Sequence, residues 1–389
     1  MSTKKSAAIS SGNVTRSTLK EVSGNITPVG DSVKFDDSYL LKFYRRFYYQ
    51  RFSQDLLKSK KIINTDSSYW KCHRFSIGSL MEIFRNRDQK TAYYQHVETC
   101  GNSRACPVCA PRIMGLRSTE IRSAVHQWLN ESPLNTCYLL TLTFSHSLED
   151  SLDDLLCDFS AATQIFWRNG SVRRMLLKHG YFGRINSLEI QYSLQNGFHP
   201  HQHILIFSRK LHELRVDALR QHWLAALHCA GLSGLSVYAL DLIEARSAEQ
   251  YLTKISSEIC LGHLKDGRYT GHFSPFQVLH CAIDKFSWAS DIWCEYFRCI
   301  KGVHSLYWSK GLKKYFGIVD QSDKDISDGG DLNQLDLFCA FPGYQYRQFS
   351  TQFKSLLIAY AAAGDYSSVR DLFSTLGLSV WRKYNGEFF

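Results

Sequence analysis

Three histidines stand at the entrance of an apolar run, His199-Pro200-His201-Gln202-His203-Ile204-Leu205-Ile206-Phe207. In a strand alternate side chains share a face, so His201 and His203 point the same way, about 6.5–7 Å apart along the chain. Two imidazoles so placed can reach one cation. The preceding segment offers a carboxylate. Residues 183–194 and 198–207 read as strands joined by Gln195-Asn196-Gly197, a hairpin signature. With those three residues as the loop, Leu194 faces Phe198, Glu189 lies opposite His203 and Gln191 opposite His201, all on one face. A two-residue loop would turn Glu189 away. Two histidines and one carboxylate make an open N/O site suited to Mn²⁺ or Mg²⁺ with waters or phosphate oxygens. Such a site can polarise a phosphoryl group.

A second candidate lies one strand and one helix downstream. Tyr251 and Lys254, in Ala248-Glu249-Gln250-Tyr251-Leu252-Thr253-Lys254, are neighbours on one face of an expected helix at 247–261. A phenol, with a pKa near 10, becomes a nucleophile only when a metal or cation stabilises its oxyanion. Opposite a metal-held phosphate, the pair is a workable phosphoryl-transfer arrangement. A third group is Cys100-x5-Cys106-x2-Cys109, with Cys72 or His73 upstream and His96 as a further candidate for the fourth position. These are the ligand types of a tetrahedral structural Zn²⁺ site. Arg104, Arg112 and Arg117 flank it and are candidate contacts to DNA phosphates.

The elements that must hold these groups are legible as patterns. A helix is expected from Asp37 to about Lys60, with Leu40, Phe43, Tyr44, Phe47, Tyr48 and Phe52 on one stripe. Lys42, Arg45, Arg46 and Gln50 take the other side, which makes Arg45 and Arg46 candidate DNA contacts. A helix follows from Pro111 to Trp128, with Met114, Ile121, Val125 and Trp128 inward. Residues 137–144 form a buried strand and 149–168 a helix, with Arg173 and Arg174 just beyond it. After the hairpin come a helix at 211–230, a strand at 236–244 and the tyrosine helix. A run of this order gives an antiparallel sheet with helices on one face, an α+β layer fold. A helix pair is expected at 350–375.

At 389 residues the chain is long enough for two to three domains. We divide it into a disordered arm (1–34), a basic helix plus Cys-rich module (35–130), a core (131–318) and a mostly helical C-terminal region (319–389). Apolar content of 44%, with 14% aromatic, excludes global disorder. No run approaches the roughly 18 apolar residues of a membrane helix. The N-terminus lacks an apolar signal segment, so a cytoplasmic, membrane-free protein is expected. Forty-six basic against 36 acidic side chains leave a formal +10, which favours a polyanionic partner. The twelve cysteines are expected to be reduced thiols, those outside the cluster serving as small core residues.

Taken in order, Leu-Leu-Thr-Leu-Thr-Phe (139–144), Phe-His-Pro-His-Gln-His (198–203) and Tyr-Leu-Thr-Lys (251–254) resemble the three motifs of HUH endonucleases. More narrowly, the chain resembles the replication initiator proteins of small bacterial rolling-circle plasmids. Cys-Pro-Val-Cys (106–109), Ser-Leu-Glu-Ile (187–190) and Trp-Ser-Lys-Gly-Leu (308–312) share in that similarity, which spans roughly 72–315. The resemblance implies a ferredoxin-like or RRM-like core and a single-tyrosine nickase. Tyr251 would attack a phosphodiester of the origin, giving a 5′-phosphotyrosyl link and a free 3′-hydroxyl, with strands rejoined at termination. His201, His203 and Glu189 would hold the metal, and Lys254 would steady the phosphate or phenolate. Origin DNA is the implied partner, with host helicase and polymerase and a homodimer as further candidates. Two departures stand out. Gln202 is polar where the family prefers an apolar residue, and Ser247 occupies the position of a glutamate that activates water in relatives. An HUH relaxase or transposase would use the same chemistry, and a non-catalytic zinc-containing regulator is a different class.

Overall fold

The structure, a computed structural model, describes residues 37–87, 90–211, 214–235, 237–244, 271–329, 335–381, 383–384 and 387–388. Its main elements in chain order are α1 (Asp37–Ser59), β1 (Leu80–Asn86), β2 (Thr91–Gln95), α2 (Cys109–Glu131), β3 (Asn135–Leu142), α3 (Leu152–Arg168), α4 (Gly170–His179), β4 (Tyr181–Ser193) and β5 (Gly197–Arg209). They continue with α5 (Val216–Cys229), β6 (Leu240–Glu244), β7 (His272–Phe273), α6 (Pro275–Ile283), α7 (Ala289–Cys299), β8 (Leu306–Trp308), β9 (Asp336–Pro342), α8 (Thr351–Ala363) and α9 (Tyr366–Ser374). The arm at 1–34 and the tyrosine helix at 247–261 lie outside the described residues. Among those described, no helix is long and apolar enough to cross a membrane.

The larger sheet is antiparallel throughout, in the order β6-β3-β5-β4-β7, with β8 also on β4. Its central strands, β3 and β5, pair Leu139 with Leu205 and Leu140 with Ile204, all four buried. This is the expected α+β class with one correction, since helices cover both faces. Phe207, on the face of the histidines, meets Trp128 of α2. Tyr138, which points the other way, meets His179 of α4. The helix expected to end near 168 is followed by a second one. Asn169 caps it, its side chain accepting from the amides of Ser171 and Val172. Arg173 and Arg174 are therefore helical.

A smaller sheet, β2-β1-β9, joins the N-terminal and C-terminal parts, because β9 pairs with β1 more than 240 positions upstream. The pair α8 and α9 falls where the sequence places it. Phe43 and Phe47 of α1, Met81 and Ile83 of β1, and Phe353 and Leu357 of α8 share this second core. The inward face of α1 is Phe43, Phe47, Gln50, Ser53, Gln54 and Leu57. This corrects the expected stripe. Gln50 is buried rather than solvated, whereas Tyr48 is exposed and Tyr44 and Phe52 are half-buried. The reason is polar: Gln50 and Gln54 find acceptors inside, described below. Cys157 and Cys229 are exposed rather than core; Cys137, Cys281, Cys294 and Cys339 are buried and Cys299 is half-buried. All described cysteines are free thiols; Cys260 lies outside the described residues.

Lys354 of α8 is a buried cation whose Nζ donates to the His73 carbonyl at 3.0 Å and sits over the Tyr346 ring. Desolvation, assisted by Arg51, lowers its pKa to about 7 from the ordinary 10.5. The charged form is thus disfavoured in the fold, and the unfolded chain binds the extra proton between those two values. Stability should rise with pH across that window, with a slope approaching about 1.4 kcal/mol per pH unit from this group. In Lys354→Met the contribution should vanish. Thermal melts of both proteins from pH 6.5 to 9.5 check it, and equal slopes would sink the assignment.

Candidate metal centre

The hairpin register decides which groups meet. Ser193 closes it against Gly197, and the loop is Leu194-Gln195-Asn196, one position earlier than expected. The Ser193 hydroxyl accepts from the amides of Gln195 and Asn196, which shapes the turn. Gly197 then re-enters the strand at φ +75°, where a Cβ would lie 3.0 Å from the Ser147 carbonyl. Gly197→Ala should therefore cost at least about 1–2 kcal/mol. A denaturant melt measures it, and an unchanged midpoint would contradict this account of the turn.

The observed pairs are Glu189 with His201, Gln191 with His199 and Ser187 with His203, in place of Glu189 with His203 and Gln191 with His201. The slip is two residues. An even slip preserves the face, so the grouping survives the wrong register. Glu189 Oε2 lies 3.0 Å from His201 Nε2 and 3.1 Å from His203 Nε2, and all three residues are buried. Gln191 Nε2 donates to Glu189 Oε1 at 2.9 Å and fixes the carboxylate plane. His203 Nδ1 faces Thr141 Oγ1 of β3 at 3.2 Å. With Nδ1–H donating there, Nε2 is the ring nitrogen turned toward Glu189 and would be the one to meet a cation. His201 Nδ1 is buried without a hydrogen-bond partner among the described residues. Gln202 pairs with Leu142 and Leu188 on the opposite face, away from this group.

The donor set, two imidazoles and one carboxylate, is one that can hold a divalent cation. Metal–ligand bonds of about 2.1 Å at right angles put neighbouring donors about 3.0 Å apart, and the two observed separations match. Behind it lies a further pair. His146 Nδ1 donates to the Asn196 carbonyl at 2.8 Å, His146 Nε2 meets His199 Nδ1, and His199 Nε2 meets Thr143 Oγ1 at 3.2 Å. Burial, then the neighbouring His201, His146 and His272, lower the His199 pKa to about 3. His199 is therefore a neutral ring, packed edge-on at 5.1 Å from His201.

The four cysteines of the second group come together. Cys72, Cys100, Cys106 and Cys109 bring their sulfurs within 4.8 Å of one another. Cys72 Sγ lies 3.5 Å from Cys109 and 3.9 Å from Cys106, and Cys100 lies 3.8 Å from Cys109. A tetrahedron of 2.3 Å Zn–S bonds has edges of about 3.8 Å. The structure thus selects Cys72 for the fourth position, while His96 is engaged with Glu82 at 3.0 Å. Gln50 donates to Cys72 Sγ (3.1 Å) and Cys106 Sγ (3.3 Å), and Gln54 donates to the Cys72 carbonyl. Burial pushes the Cys72 and Cys100 thiols well up. Hydrogen bonds from Cys100, Cys106 and Cys72 hold the Cys109 thiol well down.

Arg104 donates to the carbonyls of Leu188 and His304. Arg112 donates to those of Ser327 and Gly329 and lies over the Tyr93 ring. Arg117 pairs with Glu120 and Asp323 and donates to the Gln321 carbonyl. Their guanidiniums link separate segments of the fold. Arg45 and Arg46 are half-buried on α1, Arg46 lying 5.6 Å above Phe43. Tyr251, Lys254 and Ser247 lie outside the described residues. The sequence places Gln191 on the shared face without a role, and it gives none to Thr141 or Gln50, whose contacts only the structure brings out.

The fold and sites define an antiparallel α+β protein with, among the described residues, a Cys₄ group and a Glu-His₂ group, each able to hold a metal. Among known proteins the chain is similar to "Protein rep" of Streptomyces lividans, at 23% identity over 60% of this chain and 69% of that protein. That similarity agrees with the resemblance to plasmid Rep proteins. It is also 28% identical, over 28% of its length and 30% of the relative's, to a "Neomycin resistance protein" of Streptomyces cyanogenus. No family model and no solved structure matches.

Proposed function

We propose that this chain is a plasmid rolling-circle replication initiator that nicks one DNA strand at the origin through a tyrosine. The observation that carries the reading is the convergence of Glu189, His201 and His203 at one buried point of the central hairpin. The similarity to a protein named rep supports it. A divalent cation, Mg²⁺ or Mn²⁺, bound there supplies Lewis-acid stabilisation of charge on the phosphoryl oxygens. The chain itself does the rest. Gln191 and Thr141 orient the carboxylate and one imidazole. Tyr251, losing its proton, forms the new bond to phosphorus; the bond to the 3′-oxygen breaks, and that oxygen takes up a proton. The products are a 5′-phosphotyrosyl link and a free 3′-hydroxyl, and reversal of the same steps rejoins strands. Lys254 steadies the developing charge. The four cysteines hold Zn²⁺ in a structural role.

The test is covalent capture. Protein and Tyr251→Phe are incubated with labelled single-stranded DNA tiled over a candidate replicon, with Mn²⁺ or with chelator. A metal-dependent label on denatured protein, absent from the variant, is the expected result. Label surviving in the variant would move the nucleophile to another tyrosine. Tight binding without any adduct would favour a non-catalytic regulator.

A further inference from the structure

The outer edge of β4 is interrupted beside Glu189. β8 covers Ile185, Asn186 and Ser187, and β7 covers Tyr192 and Ser193. Across 188–191 no strand lies on that edge among the described residues. There the Leu188 carbonyl accepts from Arg104 Nη1 at 3.1 Å, while Nη2 donates to the His304 carbonyl at 2.9 Å, just before β8. Arg104 is 6% exposed and sits between Cys100 and Cys106, on the loop that the sulfur cluster closes. That loop is itself fixed. Asn102 Oδ1 accepts from the amides of Arg104 and Ala105, Ser103 donates to Asp323, and Tyr296 donates to the Arg104 carbonyl.

We propose that Arg104 is a positioning residue through which the Cys₄ centre sets the Glu189 carboxylate, so that the two centres bind their metals cooperatively. The inference rests on the reading that Glu189, His201 and His203 hold a divalent cation. A planar guanidinium gripping the Leu188 and His304 carbonyls ties β4 to the segment before β8 in one fixed fork, which a flexible ammonium cannot do. Metal sites tolerate donor displacements of only about 0.2 Å. Filling the Cys₄ centre locks the loop, the loop holds Leu188, and Leu188 places the next residue, Glu189. Linkage requires the reverse effect to be equal: Mn²⁺ at the histidine group must tighten zinc at the cysteines by the same factor.

The test uses the full chain and Mn²⁺ alone as probe, bound in calorimetry or read by electron paramagnetic resonance. Wild type, Arg104→Lys and Arg104→Gln are compared, each with its zinc content and melting curve. Arg104→Gln should retain one zinc but bind Mn²⁺ at least about tenfold more weakly, with Arg104→Lys between. In wild type, saturating Mn²⁺ should raise zinc affinity in chelator competition; in Arg104→Lys that rise should shrink. If the glutamine variant does not fold, the lysine variant decides. A folded lysine variant with wild-type Mn²⁺ affinity overturns the proposal. Mn²⁺ binding lost in His203→Ala but equal across the arginine variants overturns the coupling alone. No Mn²⁺ bound by wild type overturns the coupling and the metal reading together.

Discussion

Glu189→Gln should keep its fold and lose metal-dependent DNA cleavage by at least about 100-fold, since even outer partners of metal ligands cost 10–100-fold when removed. The substitution is isosteric, and the residue is 5% exposed, so no cavity opens. What changes is charge. Glu189 Oε2 is an anionic oxygen shared by His201 and His203, at 3.0 and 3.1 Å. An amide there offers a neutral oxygen to a divalent cation. The metal-free protein should melt close to wild type, because a buried anion is replaced by a group that can still hydrogen-bond. The signature is in the metal response. Wild type should gain about 2.7 kcal/mol at a hundredfold excess of Mn²⁺ over its dissociation constant, and Glu189→Gln should gain none. A variant stabilised by Mn²⁺ as strongly as wild type would show that the cation, if bound, sits elsewhere.

Cys109→Ser should abolish zinc binding and destabilise the chain by more than any surface change could. Structural zinc sites supply apparent binding energies of about 10–16 kcal/mol in zinc-finger peptides, against total stabilities of about 5–15 kcal/mol. Cys109 is the first residue of α2 and lies beside Cys72 and Cys100. Its loss therefore unpins the start of a helix whose far end, at Trp128, packs under the main sheet. Metal analysis should give one equivalent of zinc in wild type and none in the variant. Melting should fall steeply, and adding chelator should lower wild type toward the variant. A Cys109→Ser protein that keeps its zinc and its melting point would leave these thiols as ordinary core residues.

How far the sequence reached can be judged from individual residues. The shared face of Glu189, His201 and His203 was legible because alternation is a local property of a strand, and it survives any even error in register. The cysteine spacing likewise exposed one tight pair, and apolar periodicity located β3, α2 and the helix pair at 351–374. These are features written within a few residues of chain. What only the tertiary structure decided involves partners distant in sequence. Ser193 and the re-entrant Gly197 set the true register. Cys72 rather than His96 completed the sulfur set because α1 and the loop before β1 pack there. β9 found β1 across most of the chain. Arg104, Arg112 and Arg117 read as surface charges in sequence, yet each guanidinium serves backbone carbonyls from another segment. Spacing records which groups share a face. Packing alone determines which unpaired donors and acceptors are buried together, since that choice minimises unsatisfied polar groups across the whole fold.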